Sequence, residues 1–475
     1  MDLLPAVPAD DPGNFSWWQL DVRATSKVGI KPTLDRKIDA DVAIVGGGFT
    51  GLWTAIALKE RSPKLRIVVL DAYRCGDGAS SRNGGNVHGY WGALPTLISF
   101  YGADKALEAA RLGTLAQKKL RAFATSKPND VWWVEEGYLR VATSEAQKSK
   151  LAAFITVARE LGVPDTVRRV GKSDLLSLCN SPKFEEGLFF SEGATVHPAR
   201  LAAAVREKAI QLGIDIYENT PVISVQQGSP CFVATSQGGV TARDVVLANY
   251  TGTMAIPSVG RTTTLFSSFP AMSERNELEL ERIGYKAARG IADLRMFTHY
   301  FRRTRDGRIL MGTGSGPIGF GNNHSAAALR RDEPSLERAK IGLRRFFPGM
   351  SAVVSTWGFP IEVTSDRLPY FGTAAGTRIH YGSGYSGHGV NATVIAGECL
   401  ASIVLGEKDQ WSNSVFCNRT RVNFPLEPFR YVGGSIIRNA IVKCEDAQDA
   451  GLPQPLVARG IAEVPRMIGM RIGMR

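Results

Sequence analysis

A chain of 475 residues is too long for one simple core, so two domains with extensions are expected. Its 21% charged and 44% hydrophobic residues are ordinary for a water-soluble globular protein, and no apolar run reaches the length of a bilayer span. The net charge of +12 is spread along the chain without a nucleic-acid-binding motif, so an acidic substrate, a membrane surface or simple solubility account for it equally. The cysteines Cys75, Cys179, Cys231, Cys399, Cys417 and Cys444 show no close pairing, which argues against a disulfide framework and against any metal site of the zinc type. The start, Met1-Asp2-Leu3-Leu4-Pro5, lacks the basic and apolar regions of a secretory signal, and a cytoplasmic location is expected.

Residues 1–39 are rich in Pro and Asp, then carry Trp17 and Trp18, and read as an extended arm packed on the body. Asp41-Val42-Ala43-Ile44-Val45 is a buried parallel strand by pattern. It runs into Gly46-Gly47-Gly48-Phe49-Thr50-Gly51, a GxGxxG, and then into a helix over 52–59. Gly46 allows the tight turn, Gly48 lets a pyrophosphate approach the backbone, and Gly51 lets helix and strand pack closely. The phosphates belong at the helix N-terminus, where N–H groups and the dipole favour negative charge. A second strand, Arg66-Ile67-Val68-Val69-Leu70, ends in Asp71, where a carboxylate is expected to accept the ribose hydroxyls and to disfavour a 2′-phosphate. Strand, glycines, helix, second strand and acid in order make a dinucleotide site.

Further along, a helix is expected over 103–126 and a hairpin over 131–141 with its turn at Glu136-Gly137. Helices follow near 145–162 and 198–212, with a meander of short strands over 214–250 that includes Val222. The stretch 298–312 alternates in period two around Asp306-Gly307, a strong hairpin signal. A helix is expected near 334–347. A second Gly-rich loop over 381–389 leads into a long helix over 390–405. After a break at Phe424-Pro425-Leu426-Glu427-Pro428 comes a basic amphipathic helix over 430–445, and the segment after Gly451 has too much Gly and Pro to be assigned structure.

The loop Gly76-Asp77-Gly78-Ala79-Ser80-Ser81-Arg82-Asn83-Gly84-Gly85 resembles the segment that runs under the flavin in the FAD-dependent D-amino acid oxidase superfamily. Its Ser-Arg-Asn-Gly-Gly run is most similar to the γ-glutamylputrescine oxidase branch, with glycine oxidase-like enzymes near it. Three further segments carry the resemblance: the Val196-His197-Pro198 helix start, Trp357-Gly358 followed by Thr364, Asp366, Pro369 and Gly372, and Gly384-Tyr385-Ser386-Gly387-His388-Gly389. It covers about residues 38–410 and continues more loosely beyond 425.

The resemblance implies an α/β fold: a Rossmann-like FAD-binding domain of the glutathione reductase type, with a second α+β substrate domain built on an antiparallel sheet. Residues 40–95, 193–254 and 351–410 would form the first, 96–192 and 255–350 the second, with an arm over 1–39 and a C-terminal extension over 411–475. FAD contacts would come from Gly46, Gly48, Phe49, Thr50, Gly51 and Asp71, from Ser81, Arg82, Asn83, Gly84 and Gly85, from Val222, and from Gly384, Tyr385, Gly387, His388, Gly389 and Val390. Sarcosine oxidases, a sister branch, hold the substrate carboxylate with a lysine where this chain has Asn391, and tether FAD through a cysteine where it has Phe359. Both departures argue for non-covalent FAD and against that carboxylate clamp.

The implied reaction is oxidation of the C–N bond of a small amine or amino acid derivative. Hydride passes to the flavin, the imine is hydrolysed, and oxygen or another acceptor takes the electrons. Candidate catalytic residues are His388, His88 and Tyr300. His88 reads equally as a cavity residue or a hydrogen-bonded structural histidine. Arg302, on the Tyr300 face of its strand, reads first as a solvated residue and second as a substrate contact. Cys399 reads as core, His197 as a helix-start residue. A non-catalytic flavoprotein or assembly subunit is the alternative function, and the basic segment 466–475 suggests weak contact with a membrane surface.

Overall fold

The computed structural model describes residues 1–3, 5–8, 11–25 and 29–467. The first half of the molecule grows from the strand Lys37–Val45, whose last four residues are fully buried. It pairs in parallel with Ile67–Leu70 on one side and Gly239–Leu247 on the other. Asp215–Tyr217 and Ile379–Ser383 extend the parallel array outward, and Tyr370–Thr373 closes one edge antiparallel. Buried on both faces, the central strand Ile67–Leu70 and the last residues of Lys37–Val45 and Gly239–Leu247 read as continuous apolar runs rather than alternating ones. Val222–Gln226, Cys231–Thr235 and Gly239–Leu247 form the expected meander.

Two helices cover one face of this sheet, Phe49–Arg61 and Gly389–Leu405. They touch at Gly397, where a Cβ would stand 2.8 Å from the backbone of Trp53. The helix Ala103–Thr125 lies beside Gly389–Leu405, and the space between is filled by one continuous apolar cluster.

Among the described residues the second sheet has nine strands. Thr263–Ser273 is its longest, pairing antiparallel with Ile309–Thr313, Val353–Thr356 and Phe359–Thr364. All its pairs are antiparallel but one, Gly290–Asp293 beside Tyr138–Ala142. The hairpin around Asp306-Gly307 forms, joining His299–Arg303 to Ile309–Thr313, with Gly307 at φ 81°. Because Val353–Thr356 and Phe359–Thr364 pair here, the chain returns to the first sheet only at Tyr370–Thr373, inside the segment 351–410 expected as one piece.

Several local expectations are corrected. No hairpin forms over 131–141. Val134 bridges Thr195, while Tyr138–Ala142 pairs with Glu186–Phe190 and Gly290–Asp293, so the alternation was real but its partners are distant in sequence. The helix near 145–162 is two, Glu145–Lys148 and Leu151–Glu160. The N-terminal arm is not extended throughout: Trp17–Thr25 is a helix whose Trp18 is wholly buried. The segment after Gly451 carries the helix Leu456–Met467, and the helix expected over 430–445 runs Phe429–Asp449, where Glu445, Asp446 and Asp449 balance its three basic residues. Most of the basic segment 466–475 lies outside the described residues. No described helix is long and apolar enough to cross a membrane.

Candidate active site

The carboxyl ends of the parallel strands of the first sheet open on a cavity of about 800 Å³, within the range of about 300–1,000 Å³ usual for small-molecule sites. The glycine loop forms one wall. Gly46 sits at φ 106°, and a Cβ there would lie 2.5 Å from the Ala248 carbonyl. Gly51 faces inward, not toward the cavity; a Cβ on it would be 1.9 Å from the Gly46 carbonyl. Gly48 borders the open space, where a Cβ would meet only the Ser80 hydroxyl, at 3.0 Å. Two described helices begin at this cavity, at Phe49 and Gly389; neither is capped by its own N-cap side chain, and the Ser80 hydroxyl accepts the Phe49 amide at 2.8 Å. Both positive dipole ends are thus directed into the space, as an anionic ligand requires.

Asp71 departs in detail from expectation. Its carboxylate accepts the Gly47 amide at 2.7 Å and the Tyr73 amide at 2.9 Å, so it braces the glycine loop while lining the cavity. A carboxylate offers about four acceptor sites, which leaves capacity for a ligand hydroxyl. Burial, outweighing these two hydrogen bonds, pushes its pKa up to about 7.

The loop after Asp71 is stitched to the N-terminal arm. Ser16 donates to the Ser81 carbonyl at 2.6 Å, the Trp18 indole to the Asn83 carbonyl at 3.0 Å and Gln19 to the Asp77 carbonyl at 2.9 Å. Arg82, Asn83 and Gly84 line the cavity; Ser81 and Gly85 do not, and serve the loop's shape. Gly85 has φ 70°, and a Cβ there would strike the Val196 carbonyl at 2.1 Å.

Arg302 corrects the reading of a solvated strand face. It is 1% exposed and donates to the Gly84 and Val196 carbonyls, both at 2.7 Å, with its guanidinium 4.9 Å from the Trp18 ring. Burial lowers its pKa to about 9, which still leaves it charged at neutral pH. Its task is to hold the loop backbone. Arg302→Met would leave two buried carbonyls without donors, a loss of about 2–5 kcal/mol that urea unfolding would measure.

The second Gly-rich loop is held by Glu362, which the sequence motifs do not single out. Its carboxyl accepts the Gly384 amide at 2.7 Å and the Ser383 hydroxyl at 2.9 Å. A lone glutamate in the apolar run Phe359–Thr364 was the available signal, since such residues are seldom buried without a task. Tyr385 shares a 2.6 Å hydrogen bond with Thr50, tying the two Gly-rich segments together. Gly387, His388, Gly389 and Val390 line the cavity, as does Val222 at its other end; Gly384 itself does not.

Burial drives the Glu362 pKa up to about 7. With the folded pKa above the unfolded one, the neutral form is favoured by folding. This contribution is complete below about pH 4.5 and is lost as pH rises through 7, amounting to about 3 kcal/mol from Glu362. Glu362→Gln should flatten the fall in apoprotein melting temperature between pH 5 and 8 relative to wild type, as calorimetry across that range would record.

The far end of the cavity gathers the candidate catalytic residues. The His88 and His388 rings stand 5.3 Å apart, and His88 is 5.0 Å from Tyr138. Tyr300 lines the same space, its hydroxyl 2.9 Å from Ser268, its ring slotted between Gly84 and Gly312. Burial raises the Tyr300 pKa to about 12, so it acts as a neutral hydroxyl. Tyr138, Ser268, Met296, Phe297 and Tyr250 also line the cavity and were not expected there. Tyr250 could have been found, because it follows the carboxyl end of a strand neighbouring the glycine-loop strand. Tyr250, Arg367 and Ser386, all at positive φ, border the cavity, where such backbone strain often gathers.

Phe359 lines the cavity beneath the Arg82 guanidinium, 5.1 Å away. Asn391 points elsewhere, donating to the Gly113 carbonyl at 2.9 Å. All six cysteines are free and buried, and none lines this cavity. Glycine cradle, two helix N-termini and acid together fit an FAD, which the two Gly-rich loops and Asp71 would hold.

The chain matches the sequence family described as FAD dependent oxidoreductase over residues 41–403. It is 29% identical to the gamma-glutamylputrescine oxidoreductase of Escherichia coli (strain K12) over 406 residues, 83% of this chain and 89% of that protein. It is 25% identical to the glycine oxidase of Geobacillus kaustophilus over 83% of this chain and 97% of that one. Among solved structures, the glycine oxidase from Geobacillus kaustophilus superposes with a TM-score of 0.66 at 20% identity, covering 81% of this chain and all of the other. The L-proline dehydrogenase from P. horikoshii does so with a TM-score of 0.63 at 17% identity, covering 79% and 96%. The chain belongs to the FAD-dependent oxidoreductase family, and its cofactor is FAD.

Proposed function

We propose that this protein oxidises the C–N bond of a small amine, with a γ-glutamylputrescine-like amine favoured as substrate and FAD held without a covalent bond. The observation that carries the reading is the continuity of the cavity, from the glycine loop at Gly46 to the wall formed by His88, Tyr138, Tyr300 and His388. The likeness to the gamma-glutamylputrescine oxidoreductase, which extends over most of both chains, favours the substrate class.

Bound FAD supplies the two-electron acceptor. The chain's own residues do the rest. The aromatic walls at Tyr138, Phe266, Phe297 and Tyr300 withdraw the amine from water, which lowers its pKa and favours the neutral, reactive form. His88 or His388 takes the proton that the incoming aminium gives up. The Tyr300 hydroxyl, held by Ser268, orients the amine. Oxygen or another acceptor then recovers the electrons.

The test is a comparison of kcat/KM for γ-glutamylputrescine, putrescine, glycine and sarcosine. The γ-glutamylated amine should lead, and His88→Asn should lower its kcat/KM about 100-fold while leaving bound FAD in place. Preference for glycine or sarcosine would reject the substrate class. Bound FAD that no amine bleaches would favour a non-catalytic flavoprotein instead.

A further inference from the structure

We infer that Arg438 and Glu445, on the helix Phe429–Asp449, are positioning residues that set the shape of the substrate end of the cavity, so that a helix outside the family-matched region governs which amines fit. For what enters the cavity this rests on the amine-oxidoreductase reading above.

The helix lies beyond residue 403, where the family match ends. One of its faces follows two wall segments of the cavity. Tyr431 meets Phe320 edge-on with ring centres 5.6 Å apart, and Gly434 allows close approach to Ile318, 3.0 Å from where its Cβ would be. Arg438 then donates from Nε to the carbonyls of Ser315 and Gly316, each at 2.9 Å. Two turns later Glu445 accepts the Met296 amide at 2.5 Å. Positions 431, 434, 438 and 445 share one helix stripe. Met296, Phe297, Thr298 and Gly314 line the cavity, so each polar contact grips a segment that forms its wall.

Neither grip is a casual surface contact. Glu445 is 9% exposed, and its partner is a backbone amide inside a loop with no ladder of its own. Further along, Asp449 pairs with Arg295 and Arg345, which fixes the end of the same helix. Burial pushes the Glu445 pKa up to about 7, and the side-chain carbonyl of a glutamine offers the Met296 amide the same acceptor.

Two variants separate positioning from mere support: Glu445→Leu, which removes the acceptor, and Glu445→Gln, which keeps one. Two readouts on the FAD-loaded, full-length protein decide. The first is amide hydrogen exchange at 294–298. The second is perturbation of the flavin spectrum by putrescine and by γ-glutamylputrescine under anaerobic conditions. In Glu445→Leu, exchange at 294–298 should rise about tenfold and the preference for the longer amine should fall about tenfold, with FAD content unchanged. Glu445→Gln should behave as wild type, and Arg438→Met should reproduce the loss of preference with faster exchange at 314–316. Unchanged exchange in Glu445→Leu would overturn the inference. Faster exchange with unchanged preference would overturn it too, leaving the helix as a buttress. If no amine perturbs the flavin of the wild type, the amine reading falls, and exchange at 294–298 and 314–316 alone decides whether these residues hold the wall.

Discussion

Gly48→Val should yield a protein of near wild-type stability that purifies without flavin, whereas Gly51→Val should lose flavin and stability together. The two glycines stand three positions apart in one motif and fail for different reasons. A Cβ at Gly48 would face the cavity and, among the described residues, meet only the Ser80 hydroxyl. A side chain there would stand where a pyrophosphate would approach the backbone, so the cost would fall on the ligand. Affinity for FAD should drop at least about 1,000-fold, while the apoprotein melting temperature stays within a few degrees. A side chain at Gly51 drives into the Gly46 carbonyl and pushes the helix Phe49–Arg61 off the strand Lys37–Val45. Overpacking of that kind costs about 1–3 kcal/mol or more, and it also displaces the helix N-terminus. Absorbance of the purified variants gives the flavin content, and thermal unfolding of the apoproteins gives the fold.

Trp18→Ala carries the next largest expected effect. Trp18 is the largest wholly buried side chain of the arm and lies outside the family-matched region. Its indole donates to the Asn83 carbonyl, its ring lies beneath the Arg302 guanidinium, and it packs with Met272, Leu310 and Trp357. Truncation removes a core aromatic, worth about 3–5 kcal/mol, and frees the loop that carries Arg82, Asn83 and Gly84. Loss of FAD should therefore accompany the loss of stability. Trp18→Phe, which keeps most of the volume and drops the indole N–H, should retain FAD and lose about 1–2 kcal/mol. Urea unfolding with and without added FAD would separate the two effects.

What the sequence made legible follows from how local each signal is. The glycine loop, its strand and Asp71 are a contiguous unit, and each step has a local physical requirement: a positive φ at Gly46, close contact at Gly51, a carboxylate at the next strand end. The Asp306-Gly307 hairpin is equally local. Glu362, Arg302 and Glu445 are a different kind of residue. Each acts on backbone that is distant in the chain, and nothing in their neighbours announces the partner. The missed pairing of 131–141 has the same origin, since alternation identifies a strand but not what it pairs with. The helix of the arm is not legible locally because Trp17 and Trp18 sit in a polar, Pro-rich stretch, and what the helix covers, the loop over 77–85 and the cluster of Ala199, Met272, Leu310 and Trp357, is distant in the chain.

The roles proposed for His88, His388 and Tyr300 rest on their shared wall. Their rings converge on the space that the two Gly-rich loops leave open, and the enzyme reading depends on that space receiving an amine beside the bound cofactor.

The most direct measurement is an anaerobic titration of the FAD-loaded protein with γ-glutamylputrescine. The account predicts that one equivalent bleaches the flavin completely and that admitting an electron acceptor restores its colour. A protein that takes up no FAD, or whose bound FAD keeps its colour through excess amine, would contradict it.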